Sequence, residues 1–286
     1  MAGFNNLREY AQAINDGKTY YTTFRKVLNT TPGLWTDIST FGGDPKPIYF
    51  ASTPMVAQPL AYSVNGGINA GPPAVPSNKY LHRFLICADR PQAALGWLLC
   101  DYLLYYPFID MGTNQEQFFD NTLSLTRSTT GEGLQIVVIC QAAYTVTGQA
   151  IQFKYTNSKG VSGRISAPFY TYFNSGIGTL QTVQQNFGNN GAVPFVTLQS
   201  GDTGVRSIQS ITFSNGLSDG LLCVVLAKPV LSGTLFEQTS PSEVVPICDN
   251  SAIPKIEDNA CLALLFRNAS PQYGIQYIGE LETVIG

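Results

Sequence analysis

Hydrophobic and polar positions follow a strand grammar most clearly between residues 134 and 166. Leu134-Gln135-Ile136-Val137-Val138-Ile139-Cys140 is a short, nearly unbroken apolar run, the pattern of a strand covered on both faces. Further on, Ile151, Phe153 and Tyr155 alternate with Gln152, Lys154 and Thr156. Asn157-Ser158-Lys159-Gly160 interrupts, and Val161, Gly163 and Ile165 then alternate with Ser162, Arg164 and Ser166. Period-two alternation on both sides of a glycine-containing turn predicts a β-hairpin with one face in a core. That face is expected to carry Ile151, Phe153, Tyr155, Val161, Gly163 and Ile165.

The same grammar recurs along the chain. Strands are predicted over 80–88 and 94–108, and around Ile136, Ile151, Val161, Val196, Ile211, Leu222, Leu262 and Ile275. Gly188-Asn189-Asn190-Gly191, Ser200-Gly201-Asp202-Thr203-Gly204, Asn215-Gly216 and Ser232-Gly233 separate them as turns. One helix stands apart at the start. Asn6 is placed to cap it, Glu9 to reach back, Leu7, Tyr10, Ala11 and Ile14 to line one face, and Gly17 to close it. Residues 20–27 are rich in aromatics and Thr, suiting a strand or an extended arm. Residues 41–76 are dominated by Gly, Pro, Asn and Ser, which favours a long surface loop over an arm reaching to a neighbour. The expected fold is all-β: a jelly-roll or β-sandwich body over 79–286, preceded over 1–78 by a short N-terminal helix and an extended Gly/Pro-rich arm. No fixed-period repeat points to a solenoid or propeller.

Composition narrows the function classes. At 286 residues and 44% hydrophobic, the chain can bury a large core. Only 12% of residues are charged, about half the usual share, so the surface is built from neutral polar groups that guard weakly against association. The net charge is −3 with no basic run, which argues against nucleic acid as a partner. The apolar stretch 95–106 is broken by Asp101 and stops at Pro107, so it reads as buried strand rather than membrane span. Cys87, Cys100, Cys140, Cys223, Cys248 and Cys261 form no CxxC pair, and no His/Cys cluster has ligand spacing. Buried free thiols, and no metal or other cofactor, are expected, as suits assembly in a reducing cytoplasm. The N-terminus carries no signal-peptide pattern.

The sequence carries fragments of catalytic patterns, none of them complete. His82 is the single histidine and reads as a structural strand residue. Gly216-Leu217-Ser218-Asp219-Gly220 has the letters of a nucleophile elbow, but a strand rather than a helix is predicted after it and His82 precedes Ser218. Gly201-Asp202-Thr203-Gly204 lacks the lysine and the following helix of a phosphate loop, and reads as a turn with Asp202 bonding nearby backbone amides. Asp101, Asp110, Glu116 and Asp120 lie in or beside an aromatic segment, where a carboxylate pair would suit glycan cleavage; their spacing does not single out a pair. No enzymatic activity is expected.

Leu125-Thr126-Arg127, Glu132-Gly133-Leu134-Gln135, the segment from Tyr155 to Arg164, Ser200 to Ser210, and the ending Cys261-Leu262-Ala263-Leu264-Leu265-Phe266 together resemble β-rich virion proteins of tailed bacteriophages, of the capsid decoration or cement kind. The likeness spans roughly 123–286. It implies a homotrimeric jelly roll or sandwich on an icosahedral shell, partnered by the major capsid protein or another virion protein and located in the virion after assembly in the host cytoplasm. A tail, collar, baseplate or carbohydrate-binding receptor position is the alternative. Docking is expected from the helix and the segment after it, through Leu7, Tyr10, Ile14, Tyr20, Tyr21, Phe24 and Trp35, because aromatics enrich interface cores. The competing reading places these aromatics in their own subunit's core. If the segment is an appendage, deleting 1–27 leaves the β body folded.

Overall fold

The computed structural model describes the chain except residues 1–2, 31–32, 90–93, 145–148, 173–174, 182–192, 217–218, 235–241, 247–252 and 269–271. Helix α1 (Leu7–Asn15) and strand β1 (Thr19–Thr30) come first, then β2 (Trp35–Asp37), β3 (Gly43–Asp44), β4 (Gln58–Pro59) and a single turn of helix, α2 (Tyr62–Asn65). The body continues with β5 (Lys79–Ala88), β6 (Ala94–Asp110), β7 (Gln117–Phe118), β8 (Gln135–Ala142), β9 (Ala150–Asn157), β10 (Arg164–Ile165) and β11 (Phe169–Tyr170). It ends with β12 (Val205–Phe213), β13 (Leu221–Gly233), β14 (Ser242–Val244), β15 (Lys255–Ile256), β16 (Cys261–Asn268) and β17 (Gln272–Ile285). The fold is all-β, as the alternation predicts.

Three antiparallel sheets build it. The terminal sheet runs β14-β5-β17-β1-β3, with β15 also on β5. The central sheet runs β2-β16-β6-β13-β8, with β4 also on β6. The hairpin sheet runs β10-β9-β12-β7, with β11 also on β9. Along β6, Trp97 and Leu99 face the terminal sheet, packing with Phe24, Phe84 and Tyr277. Further along, Leu104 and Tyr106 pack against Phe153, Tyr155 and Ile211 of the hairpin sheet. The register with β13 shifts between Tyr102 and Leu104, a bulge that keeps both sets on one face of the long strand. The opposite face, with Cys100, Tyr102, Cys223 and Cys261, is covered by Ile48, Phe50, Leu60 and Leu180. The central sheet is therefore buried on both faces, which is why β6, β8 and β13 read as apolar runs.

The hairpin forms where the pattern places it, with Arg164 opposite Tyr155 and Ile165 opposite Lys154. Its second half departs from the expected phase. Only two residues of it pair, Val161 and Ile165 are exposed, and Ser166 is buried with its hydroxyl accepting from Phe153 N at 3.0 Å. The register sets this phase: Ile165 lies opposite Lys154 and shares its outer face, while Arg164 takes the position opposite buried Tyr155. Val196 likewise sits in an irregular segment, where its N–H donates to Ile136 O at 3.0 Å.

The N-terminal segment is woven into the body. From Thr19 to Thr30, β1 pairs with β17, and Phe24 is buried and stacked on Phe84 at 5.7 Å. Gly279 lies beneath that ring, where a Cβ would sit 2.1 Å from it. Deleting 1–27 would strip most of a strand and a core aromatic from the terminal sheet, so the rest is expected to lose its fold without them, opposite to the expectation from the sequence pattern. The Gly/Pro-rich stretch 41–76 lies against its own body instead of extending away, because Ile48, Phe50, Ala57, Leu60, Ile68 and Ala70 are spaced through it and all are buried.

Candidate functional site

Helix α1 is capped as its sequence predicts. Glu9 N donates to Asn6 Oδ1 at 3.0 Å, and the Glu9 carboxylate accepts from Asn5 N at 2.8 Å and Asn6 Nδ2 at 3.1 Å. Gly17 closes the helix at φ +70, with its N–H on Ile14 O. The buried side of α1 brings Tyr10 and Ala13 onto Val284, with Phe4, Ile14 and Tyr80 around them. Tyr10 and His82 Nδ1 share a hydrogen bond, so the histidine joins helix to sheet.

The seven predicted docking residues divide. Leu7 is 68% exposed and Tyr21 51% exposed. Tyr10 and Phe24 are buried, and Ile14 is half-buried against the sheet. Tyr20 is half-buried, with its hydroxyl accepting from Asn69 Nδ2 at 2.9 Å. Trp35 packs on the far side of the central sheet. They are not gathered into one patch: only Leu7 and Tyr21 combine prediction with a largely open side chain.

The interior charges, which patterning alone does not reveal, form ties between elements. Asp101 Oδ1 accepts from Arg127 Nη2 at 2.7 Å and from Cys261 N at 2.9 Å, while Arg127 also reaches the carbonyls of Leu60 and Tyr102. Burial pushes the Asp101 carboxyl up, and Arg127 offsets only part of that rise. Asp202 accepts from Tyr155 Oη at 2.6 Å, Asn157 Nδ2 at 2.7 Å and Arg164 Nε at 2.9 Å. The turn around Asp202 thus binds side chains of the hairpin, not the nearby amides expected from sequence. Lys79, 1% exposed, pairs with Asp258 at 3.3 Å, and the same carboxylate caps the amides of Ala74 and Val75. Of the other acids beside the aromatic segment, Asp110 accepts from Gly112 N and Asp120 from Thr122 N close by in sequence, while Glu116 reaches Lys154 and Ser210 on the neighbouring strands.

Asp37 has a different environment. Fully buried beside Tyr102, it accepts from Ser39 N at 2.8 Å through Oδ1, while Oδ2 has no hydrogen-bond partner. Burial raises its carboxyl to about 6, outweighing the Ser39 hydrogen bonds and the charge of Lys26. Burial also opposes ionisation of Asp202, but the bonds from Arg164, Tyr155 and Asn157 prevail and hold it at about 2. The signs differ. Asp202 is depressed below the ~3.9 of an unfolded chain, so its stabilisation is complete above that value and is lost as pH falls toward about 2. Asp37 is raised, so the native state holds an extra proton and stability falls as pH rises from ~3.9 to about 6. Urea midpoints across this range are expected to show the Asp37 decline in the wild type and its disappearance in Asp37→Asn. Parallel profiles for the two proteins would refute the assignment.

Among the described residues no group of His, Cys, Asp and Glu is arranged to hold a metal, and no helix is long and apolar enough to cross a membrane. Cys87, Cys100, Cys140, Cys223 and Cys261 are free; Cys248 lies outside the described residues, as do Leu217 and Ser218 of the elbow-like motif. Burial pushes the Cys140 thiol up to about 12, and Cys100 and Cys223 well above their ordinary value, leaving these sulfurs unreactive.

No family model and no curated protein matches the chain. Among solved structures, alignments run to the VP2 subviral particle of infectious bursal disease virus at 6% identity, covering 94% of this chain and 81% of that chain with a TM-score of 0.17. The Gx strain of the same virus aligns at 10% identity over 94% and 81%, with a TM-score of 0.16. The D431N mutant VP2 in derived T=1 particles aligns at 8% identity over 93% and 78%, with a TM-score of 0.17. Scores this low define no shared arrangement of the elements.

Proposed function

We propose that this chain is a non-enzymatic structural component of a tailed-phage particle, a cement or decoration protein that binds and stabilises the head shell as a homotrimer. The observation that carries the reading is how the interior charges are used. The ties of Asp101 to Arg127, Asp202 to Arg164 and Lys79 to Asp258 each join segments distant in sequence, cross-linking a body whose central sheet is already covered on both faces. Chemistry spent in this way suits a rigid block presented in many copies. The charge-poor surface supports it, since close lattice neighbours then meet little repulsion. Many modest contacts, each weak alone, add through multivalency to firm attachment. The contact is with the major capsid protein or another virion protein, without nucleic acid, membrane or cofactor, and the free thiols suit assembly in the host cytoplasm before the protein resides in the virion.

Mass photometry of the purified chain, alone and mixed with phage particles that lack it, tests this reading. A stable trimer that saturates the particle at a fixed ratio is expected. A chain that leaves the particle mass unchanged overturns it.

A further inference from the structure

Strand β1 has one side on β17 for its whole length, but its other side meets β3 only at Arg25 and Lys26. Backbone direction alternates along a strand. Lys18 O accepts from Ile285 N on the β17 side, and Val27 N donates to Gly42 O on the β3 side. The N–H and C=O groups of Thr19, Tyr21 and Thr23 therefore point to the open edge, where they have no hydrogen-bond partner among the described residues. Such an edge is a template for another strand, and proteins usually guard it with charge, proline or a bulge. Here Thr19-Tyr20-Tyr21-Thr22-Thr23-Phe24 has no charge and no proline, its pairing with β17 is regular, and it is composed of residues that favour strands.

We propose that this edge pairs antiparallel with the same edge of a second copy of the chain, about a two-fold axis through Tyr21. In that register Thr19 faces Thr23 of the second copy and Tyr21 faces its own counterpart, so each open N–H meets an open carbonyl. The two Tyr21 rings lie side by side on the outer face of a sheet that continues from one copy into the next. Lys18 of the second copy falls opposite Phe24, the last open position before Asp44 pairs with Arg25. Beyond that point β3 fills the edge and limits the pairing to these residues. A second copy fits better than a charged ligand, because nothing in the segment reads charge and the strand complements itself. The inference rests on this edge alone and stands apart from attachment to a shell; the two-fold contact is separate from the three-fold contact proposed above and joins one trimer to another.

The test uses the purified full-length chain without particles. Sedimentation velocity over a concentration series is expected to show a doubling of mass, from trimer to hexamer or from monomer to dimer, that Tyr21→Lys weakens by about tenfold or more, because two introduced ammonium groups face each other across the axis. Tyr21→Phe is expected to associate as the wild type does. Mixing Tyr21→Lys with Tyr21→Glu is expected to restore association that neither shows alone, an outcome a merely misfolded variant would not give. Circular dichroism of each variant checks the fold. Wild-type mass identical to that of Tyr21→Lys at every concentration, or no restoration on mixing folded variants, overturns the proposal.

Discussion

Phe153→Asp is expected to yield no soluble, cooperatively folding protein. Phe153 lies at the middle of β9, fully buried, stacked on Phe169 with ring centroids 5.7 Å apart and paired in register with Ile211. It faces Leu104, Tyr106 and Val138 of the central sheet in the largest of the apolar clusters. Losing the ring removes about 1.5–3 kcal/mol of burial and leaves a cavity. The carboxylate then enters a site with no partner, and a buried unpaired charge adds further cost. The total exceeds about 3 kcal/mol, a large part of the ~5–15 kcal/mol that holds a typical domain together. Expression partitioning and urea unfolding check it. A soluble variant with an intact unfolding transition would remove Phe153 from the centre of the core.

The second large effect is expected at Asp101 and Arg127, whose side chains are 5% and 9% exposed. Asp101→Leu strands a guanidinium in the interior, and Arg127→Leu strands a carboxylate that also receives Cys261 N. Each single change is expected to cost roughly 3–5 kcal/mol, because one charge is left buried without its partner. The double change Asp101→Leu/Arg127→Leu removes both charges and is expected to cost much less than the sum of the two. Chemical unfolding of the four proteins as a cycle measures the coupling. Additive costs would show that the pair is not coupled and that the tie contributes nothing beyond its separate side chains.

Much of the body is legible in local patterning because local pairing leaves a local trace. Ile151, Phe153 and Tyr155 show period two since β9 has one covered face, and residues 134–140 show an unbroken run since β8 has two. The pairing of β1 with β17 leaves no such trace. It joins the two ends of the chain, and an aromatic, Thr-rich segment reads the same whether it is an appendage or an inner strand. Phe24 and Lys26 share an inward parity in β1, and a lysine at such a position is the faint sign that a charge is buried there. Lys79 and Leu81 repeat the sign in β5. The covering role of 41–76 is obscured because its apolar residues follow no period; each enters the core from a loop. Of the predicted docking residues, patterning could not separate Tyr21 from Phe24, which lie on opposite faces of one strand. The difference appears only with the partner strands in place.

The claim that this chain is a stoichiometric part of a phage particle is tested most directly by counting it. Gradient-purified particles, digested and quantified by mass spectrometry against labelled peptides of this chain and of the major shell protein, give the copy ratio. The account predicts a fixed, reproducible ratio that survives washing and repeated purification. A trace amount that varies between preparations and falls with each wash would contradict it.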